Sequence, residues 1–476
     1  MAETKPNEAG LPPLKLNYKR TLIIGFAFFG ILLLWQVYDS WCSPMLTELF
    51  MEAFHTDDEE SVQYLVGIVM ALDNLAALIM LPIFGHLSDK THTRIGKRMP
   101  YILVGTAVCA IAFPFIPLAF HFHSLAGLIS TMAIVVFFAM MYRNPAVALM
   151  PDITPKPLRS KANGIINIMG YIGGACATLM GIFCVFTDYL KDYNSGNPSI
   201  WIIETPFLVA SALMIISAAV LFFKIKENKL ARDLAEEMNR GEMESQSVDK
   251  VDDDAPMSRA NKIMLWLILG AEFLWFMADN GISTFLNNYT IYYLRCESSN
   301  SMILTIAGGA ASVIGFLVGG ILAGKIGRKW TVMLGLSLTA AGLLIWVLCG
   351  FAIPPKDVPQ GEFNPFPIYL YAVWVMKGFG MSLVHVNSYP MVVELCSSKK
   401  VGAFTGYYYA SSMAAQTVTP CLIGLLLLNE GFSFGYLPVY AFSAVLGALI
   451  VFLFVKNVKL SKTKIAKGLE SLGGED

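Results

Sequence analysis

The feature that most limits how this chain can fold is a series of twelve apolar runs, each long enough to cross a hydrocarbon layer of about 30 Å as a helix of around 20 residues. They cover 21–50, 62–84, 99–120, 125–147, 164–187, 204–226, 263–294, 301–323, 331–353, 367–393, 403–427 and 437–456. Charged residues gather between them. Only 14% of the 476 residues are charged and 55% are hydrophobic, whereas a water-soluble domain carries roughly 25% charge. So few charges cannot cover a water-facing surface. The runs are therefore read as spanning helices, which satisfy their backbone polar groups internally. The first is too long for the core of a secretory signal and no small-residue cleavage pattern follows it, so it is read as a retained span.

The 34 Lys and Arg against 35 Asp and Glu leave a net charge of −1, which offers no global attraction for nucleic acid. Placement says more than the total. With both termini cytoplasmic, 30 basic residues fall in cytoplasmic segments and only Lys191, Arg295 and Lys356 fall on the other side, as the positive-inside rule requires. The expected organisation is a tail 1–20, a six-helix bundle 21–226, a cytoplasmic central loop 227–262, a second bundle 263–456 and a tail 457–476. Within the loop, 228–243 suits either a short surface helix or a solvated linker, and the acidic 249–254 an unstructured stretch. The eight cysteines lie in or beside spans or face the cytoplasm, Cys296 excepted, with no CxxC or Cys/His spacing. Neither a disulfide scaffold nor a metal or other cofactor is expected.

The halves echo one another. Gly85-His-Leu-Ser-Asp89-Lys90, followed by Arg94, Gly96, Lys97 and Arg98, recurs as Gly320-Ile-Leu-Ala-Gly324-Lys325, followed by Gly327, Arg328 and Lys329, with the two leading glycines 235 apart. Asp152, with Arg159, Lys161 and Gly164 after it, recurs 242 residues on as Glu394 with Lys399, Lys400 and Gly406. Both offsets are close to half the chain, as a duplicated six-helix unit requires. Glycine lets helix ends approach, and an acid among basic groups can latch neighbouring helices. That reading makes Asp89, Arg94, Arg98, Asp152 and Arg159 a cytoplasmic gate.

These loops resemble those of the major facilitator superfamily, over essentially the whole chain. The stretch from Asp89 through Arg94, Gly96, Arg98 and Pro100 to Gly105, and that from Arg143-Asn-Pro to Pro151-Asp152 with Arg159 and Asn163-Gly164, are similar to loops of the glycoside-pentoside-hexuronide:cation symporters. Asn387-Ser-Tyr-Pro390 and Gln416 resemble their sucrose/proton branch. The resemblance implies an all-α membrane protein with the major facilitator fold: twelve transmembrane helices in two six-helix bundles, both termini cytoplasmic. It also implies that Arg143, at the inner end of the fourth span, latches the gate or pairs with Asp152. The melibiose permease branch has a pair of sodium-binding Asp residues in the second span, and here Ala77 and Leu81 take those places. This favours a proton over sodium as coupling ion.

An ionisable side chain in mid-span costs at least ~3 kcal/mol, so it needs a partner, a wet cavity or a function. Asp39, Asp73, Glu272, Asp279, Lys377 and His385 are such residues. Trp35, Tyr38 and Asp39 share a helix face, as do Glu272, Trp275, Phe276 and Asp279. Carboxylates accept hydrogen bonds from hydroxyls and flat rings cover the C–H face of a sugar, although such rings also simply pack helices. Trp35, Asp39, Glu272, Trp275, Asp279, Lys377 and Gln416 are accordingly the candidate substrate-binding residues. Asp73, Asp39 and His385 are the candidate ion-coupling residues, and Lys377 needs a carboxylate beside it to stay charged. With no HExxH, P-loop or Ser/His nucleophile arrangement, an enzyme is not expected. The expected function is a monomeric secondary transporter of the plasma (inner) membrane that imports a sugar or glycoside with a proton. Its partners would be that small molecule and the lipid bilayer. The alternative is a proton-coupled antiporter exporting a small molecule.

Overall fold

The computed structural model describes residues 14–194, 198–248, 259–359, 362–395, 401–429 and 431–455. The apolar runs become α1 (Tyr18–Phe54), α2 (Gln63–Lys90), α3 (Met99–Ala112), α4 (Phe115–His121), α5 (Leu125–Asp152), α6 (Arg159–Phe183), α7 (Phe186–Asn194) and α8 (Trp201–Lys224) in the first half. After α9 (Glu227–Asp233) and α10 (Ala235–Val248), the second half contains α11 (Arg259–Asn288), α12 (Ser299–Ile326), α13 (Arg328–Ala352), α14 (Tyr369–Val393), α15 (Val401–Leu427) and α16 (Leu437–Leu453). Local polar groups fix some starts. Asn17 accepts the Arg20 N–H at 3.0 Å before α1, and Ser124 accepts that of Gly127 at 3.1 Å before α5. Each amide lacks a partner within its helix.

Eleven segments among the described residues are long and apolar enough to cross a membrane, α3 with α4 and α6 with α7 each forming one. The expected tenth span, α14, is a helix of 25 residues but is not one of the eleven. Its length suffices at about 1.5 Å per residue; Lys377, His385 and Asn387 lower its apolarity. The central segment, open at the sequence level between surface helix and solvated linker, forms α9 and α10. The acidic 249–254, Lys399, Lys400 and the tail 457–476 lie outside the described residues.

Small residues set the helix spacing. A Cβ on Gly378 of α14 would collide with the Gly308 carbonyl of α12, and one on Gly173 of α6 with the Phe29 carbonyl of α1, so these backbones touch directly. Gly67 of α2 meets the Pro420 carbonyl of α15 in the same way, which joins the two halves near the end opposite the chain termini.

That opposite end carries a network of polar contacts between the halves. Pro44 interrupts the α1 hydrogen-bond ladder, leaving the Ser40 carbonyl without its usual N–H; Asn287 Nδ2 of α11 donates to it at 2.7 Å. Asn288 donates to Thr47 Oγ1 and Gln63 Oε1, both at 3.0 Å. The Tyr292 hydroxyl donates to Glu48 at 2.8 Å, Arg295 pairs with Glu59 at 3.1 Å, and the Phe434 N–H donates to Glu60 at 2.8 Å. At the end that carries the termini, the ion pairs described stay within one half: Arg98 with Asp89 and Asp152 in the first, Arg328 with Glu394 in the second.

Candidate functional site

Charged side chains gather in two clusters, one in each half. In the second half, α11 brings Asp279 to Lys377 of α14, with Oδ1 and Nζ 2.6 Å apart and side chains 31% and 15% exposed. His385, two turns beyond Lys377, lies within electrostatic reach of both and stacks on Phe276 with ring centroids 5.4 Å apart. The i, i+3, i+4, i+7 spacing read from α11 does place Glu272, Trp275, Phe276 and Asp279 along one stripe, but that stripe is not uniformly open. Glu272 and Trp275 are 0% exposed, and neither Glu272 oxygen nor Trp275 Nε1 has a hydrogen-bond partner among the described residues. Buried in this conformation, they cannot touch a solute. Gln416 is half-buried on α15.

In the first half, Asp39 is exposed on α1, and Trp35 packs edge-on against Tyr38 at 5.5 Å. Asp73 of α2 is 7% exposed and accepts a hydrogen bond from Asn74 Nδ2 at 2.7 Å. Arg143 belongs to this cluster. Its guanidinium carbon lies 6.0 Å from the centre of the Trp35 ring, within electrostatic reach of Asp39, Asp73, Tyr142 and Tyr409. The expectation of Arg143 pairing with Asp152 at the gate is corrected, because Arg143 sits nine residues back along α5 from Asp152, more than two turns deeper. Tyr409, half-exposed on α15, is within reach of both Arg143 and Glu272 and so links the first half to α11.

The remaining gate residues surround Arg98. Its guanidinium bonds Asp89, Ser88 and, at 2.8 Å, Asp152, while Lys97 pairs with Asp152 at 3.0 Å. Burial opposes the charge on Arg98, but the carboxylates of Asp152 and Asp89 outweigh it and hold the guanidinium above its ordinary pKa. Arg159 closes a local turn, donating to the Thr154 and Pro151 carbonyls at 3.1 and 2.8 Å. Arg94 is exposed. The loop itself is held by Glu227 of α9, whose carboxylate accepts the N–H groups of Lys97, Arg98 and Met99 at 2.9 to 3.1 Å. Gly96, at φ 129°, leaves room for that carboxylate. In the second half burial raises the pKa of the Glu394 carboxyl, and Arg328 beside it works the other way.

Sequence reasoning missed Glu227 and the network at the far end. Glu48 stood in an apolar run and was detectable by the same search that found Asp39. The partners of Asn287, Asn288 and Gln63 had no such signal, because amides are tolerated in many helix contacts.

Eleven long apolar helices among the described residues define a polytopic membrane protein. The sequence model of the Major Facilitator Superfamily matches residues 24–315 and 268–472, and the chain belongs to that superfamily. It is 26% identical over 232 residues to the sucrose transport protein SUC4 of Arabidopsis thaliana, covering 44% of each chain. The chain spans under half the length of the curated relatives it matches. Its fold is similar to that of the xylose transporter XylE from E. coli in an inward-open conformation, with a TM-score of 0.64 and 13% identity over 94% of this chain and 99% of that one. It is similar too to the peptide transporter POT in complex with alafosfalin, with a TM-score of 0.63 and 14% identity over 98% and 96%. That superfamily consists of transporters rather than enzymes.

Proposed function

We propose that this transporter carries a sugar or glycoside into the cell together with a proton, by alternating access. The observation that carries this reading is the cluster of charged groups in each half, which sets protonatable carboxylates beside aromatic rings and hydrogen-bonding cations. Asp39 and Asp73 take the proton, and the solute sits between Trp35 and Asp39 on one side and Asp279, Lys377 and Gln416 on the other. A site at the junction of repeated halves becomes accessible from each side in turn as the halves rock. The loop motifs shared with the sucrose/proton branch and the likeness to SUC4 support a sugar; Ala77 and Leu81 in the second span support a proton over sodium. The basic surface around Arg98 and Arg328 then faces the cytoplasm, and a monomer in the plasma membrane is the working unit.

The test is uptake of labelled mono- and disaccharides into pH-clamped vesicles, for wild type and for Asp73→Asn and Asp279→Asn. An inward proton gradient drives accumulation in wild type and in neither variant. Variants that accumulate sugar normally remove these site assignments, and uptake driven only by an outward gradient makes the protein an exporter.

A further inference from the structure

The repeat read from the sequence pairs α1 with α11 and α5 with α14, and the 242-residue offset that matches Asp152 to Glu394 places Arg143 at the position of His385, eight residues past Lys377. Each half carries mid-span acids and a cation on these helices, yet their states differ. Asp279 and Lys377 are closed at 2.6 Å. Asp39 is exposed, Asp73 is engaged with Asn74, and no ion pair within 4.0 Å is described for Arg143, which rests over Trp35. A guanidinium at the junction of the halves, supported on an aromatic ring, is a set of parallel donors awaiting oxygen acceptors.

We propose that Arg143 is a substrate-binding residue, with Trp35 positioning it, and that it donates paired hydrogen bonds to adjacent hydroxyls of a neutral, polyhydroxylated solute. This rests on the reading of the protein as a proton-driven sugar carrier. Charge selects the neutral class. With both acids ionised, Asp39, Asp73 and Arg143 sum to one negative charge, and one proton brings the cluster to zero. A neutral solute leaves it there, whereas an anionic one restores an unbalanced charge in a region of low dielectric. Hydronium on the open side gives its proton to a carboxylate oxygen of Asp39 or Asp73 and leaves as water. The neutral carboxyl competes less for the guanidinium, whose N–H groups turn to the solute; the proton returns to water on the other side. The titratable groups facing Arg143 are Asp39 of α1, Asp73 of α2, Tyr142 of its own helix and Tyr409 of α15; Tyr38 and Cys42 of α1 lie near the two acids.

The experiment is equilibrium exchange of radiolabelled sucrose, maltose and glucose by the purified full-length protein in proteoliposomes, at equal pH on both sides. The best sugar is then compared with its monodeoxy analogues and with a uronic acid derivative. Arg143→Gln is expected to raise KM by about tenfold, with the maximal exchange rate nearly unchanged, because a charge-assisted bidentate contact is lost. The sharper sign is specificity: wild type discriminates against the analogue lacking a hydroxyl that Arg143 holds, and Arg143→Gln does not. Arg143→Lys and Trp35→Phe, which disturb less, shift KM in the same direction and serve if Arg143→Gln does not fold. Folded Arg143 variants with wild-type KM and undiminished preference for the parent sugar overturn the proposal while leaving sugar transport standing. Better exchange of the uronic acid overturns the neutral class. Exchange of no sugar by wild type overturns the functional reading itself.

Discussion

At the residue scale, the Asp279–Lys377 pair is a close ion contact of 2.6 Å within the second half, and its energetics can be separated from its function. Removing one partner strands the other charge in a site where water only partly replaces it. Lys377→Gln or Asp279→Asn alone is expected to lower stability by about 1–3 kcal/mol. The double variant, which leaves no charge unpaired, recovers most of that loss. Melting temperatures of the purified proteins check this; singles and double melting alike would mean that the two groups do not depend on each other. The acids in mid-span were legible in the sequence because each is costly there. Their states were not: Asp39 is open, Asp73 capped by its neighbour and Glu272 sealed, and only the packing of other helices decides which. Arg143 shows the same limit, since its place near the end of an apolar run read as a loop group until α5 continued past it.

At the scale of elements, the unforeseen arrangement is α9 closing the start of α3. The first amides of a helix are unpaired and electropositive, and a carboxylate placed there satisfies them. Glu227 does so from across the chain, and Asn228 adds hydrogen bonds to the Thr93 and Arg94 carbonyls at 2.9 and 3.0 Å. Glu227→Ala leaves three amides without that acceptor and is expected to cost about 1–3 kcal/mol. Gly96→Ala is expected to be at least as damaging, because its positive φ and the clash with Glu227 act together. Thermal unfolding in detergent measures both, and a Gly96→Ala protein as stable as wild type would mean that the loop is not held by this contact. Helix existence followed from apolar length. The role of the central segment did not, because a carboxylate acting on distant amides leaves no periodic trace.

At the scale of the whole molecule, the halves are tied at the end away from the termini, by Asn288, Tyr292, Arg295 and Phe434 reaching across to Thr47, Glu48, Glu59 and Glu60. Loosening that end shifts the population toward the state open on it, in proportion to the contacts removed. Glu48→Gln with Arg295→Gln is expected to raise labelling of a cysteine placed at Ser40 by a membrane-impermeant thiol reagent added outside. Unchanged labelling would show that these contacts do not hold that end closed. The central claim, that solute and proton move in one step, is tested most directly by adding the preferred sugar to weakly buffered proteoliposomes with no gradient imposed and following external pH. The account predicts alkalinisation with wild type, as each sugar takes a proton inward, and none with Asp39→Asn/Asp73→Asn. Sugar entry with no change of pH in the wild-type protein would contradict it.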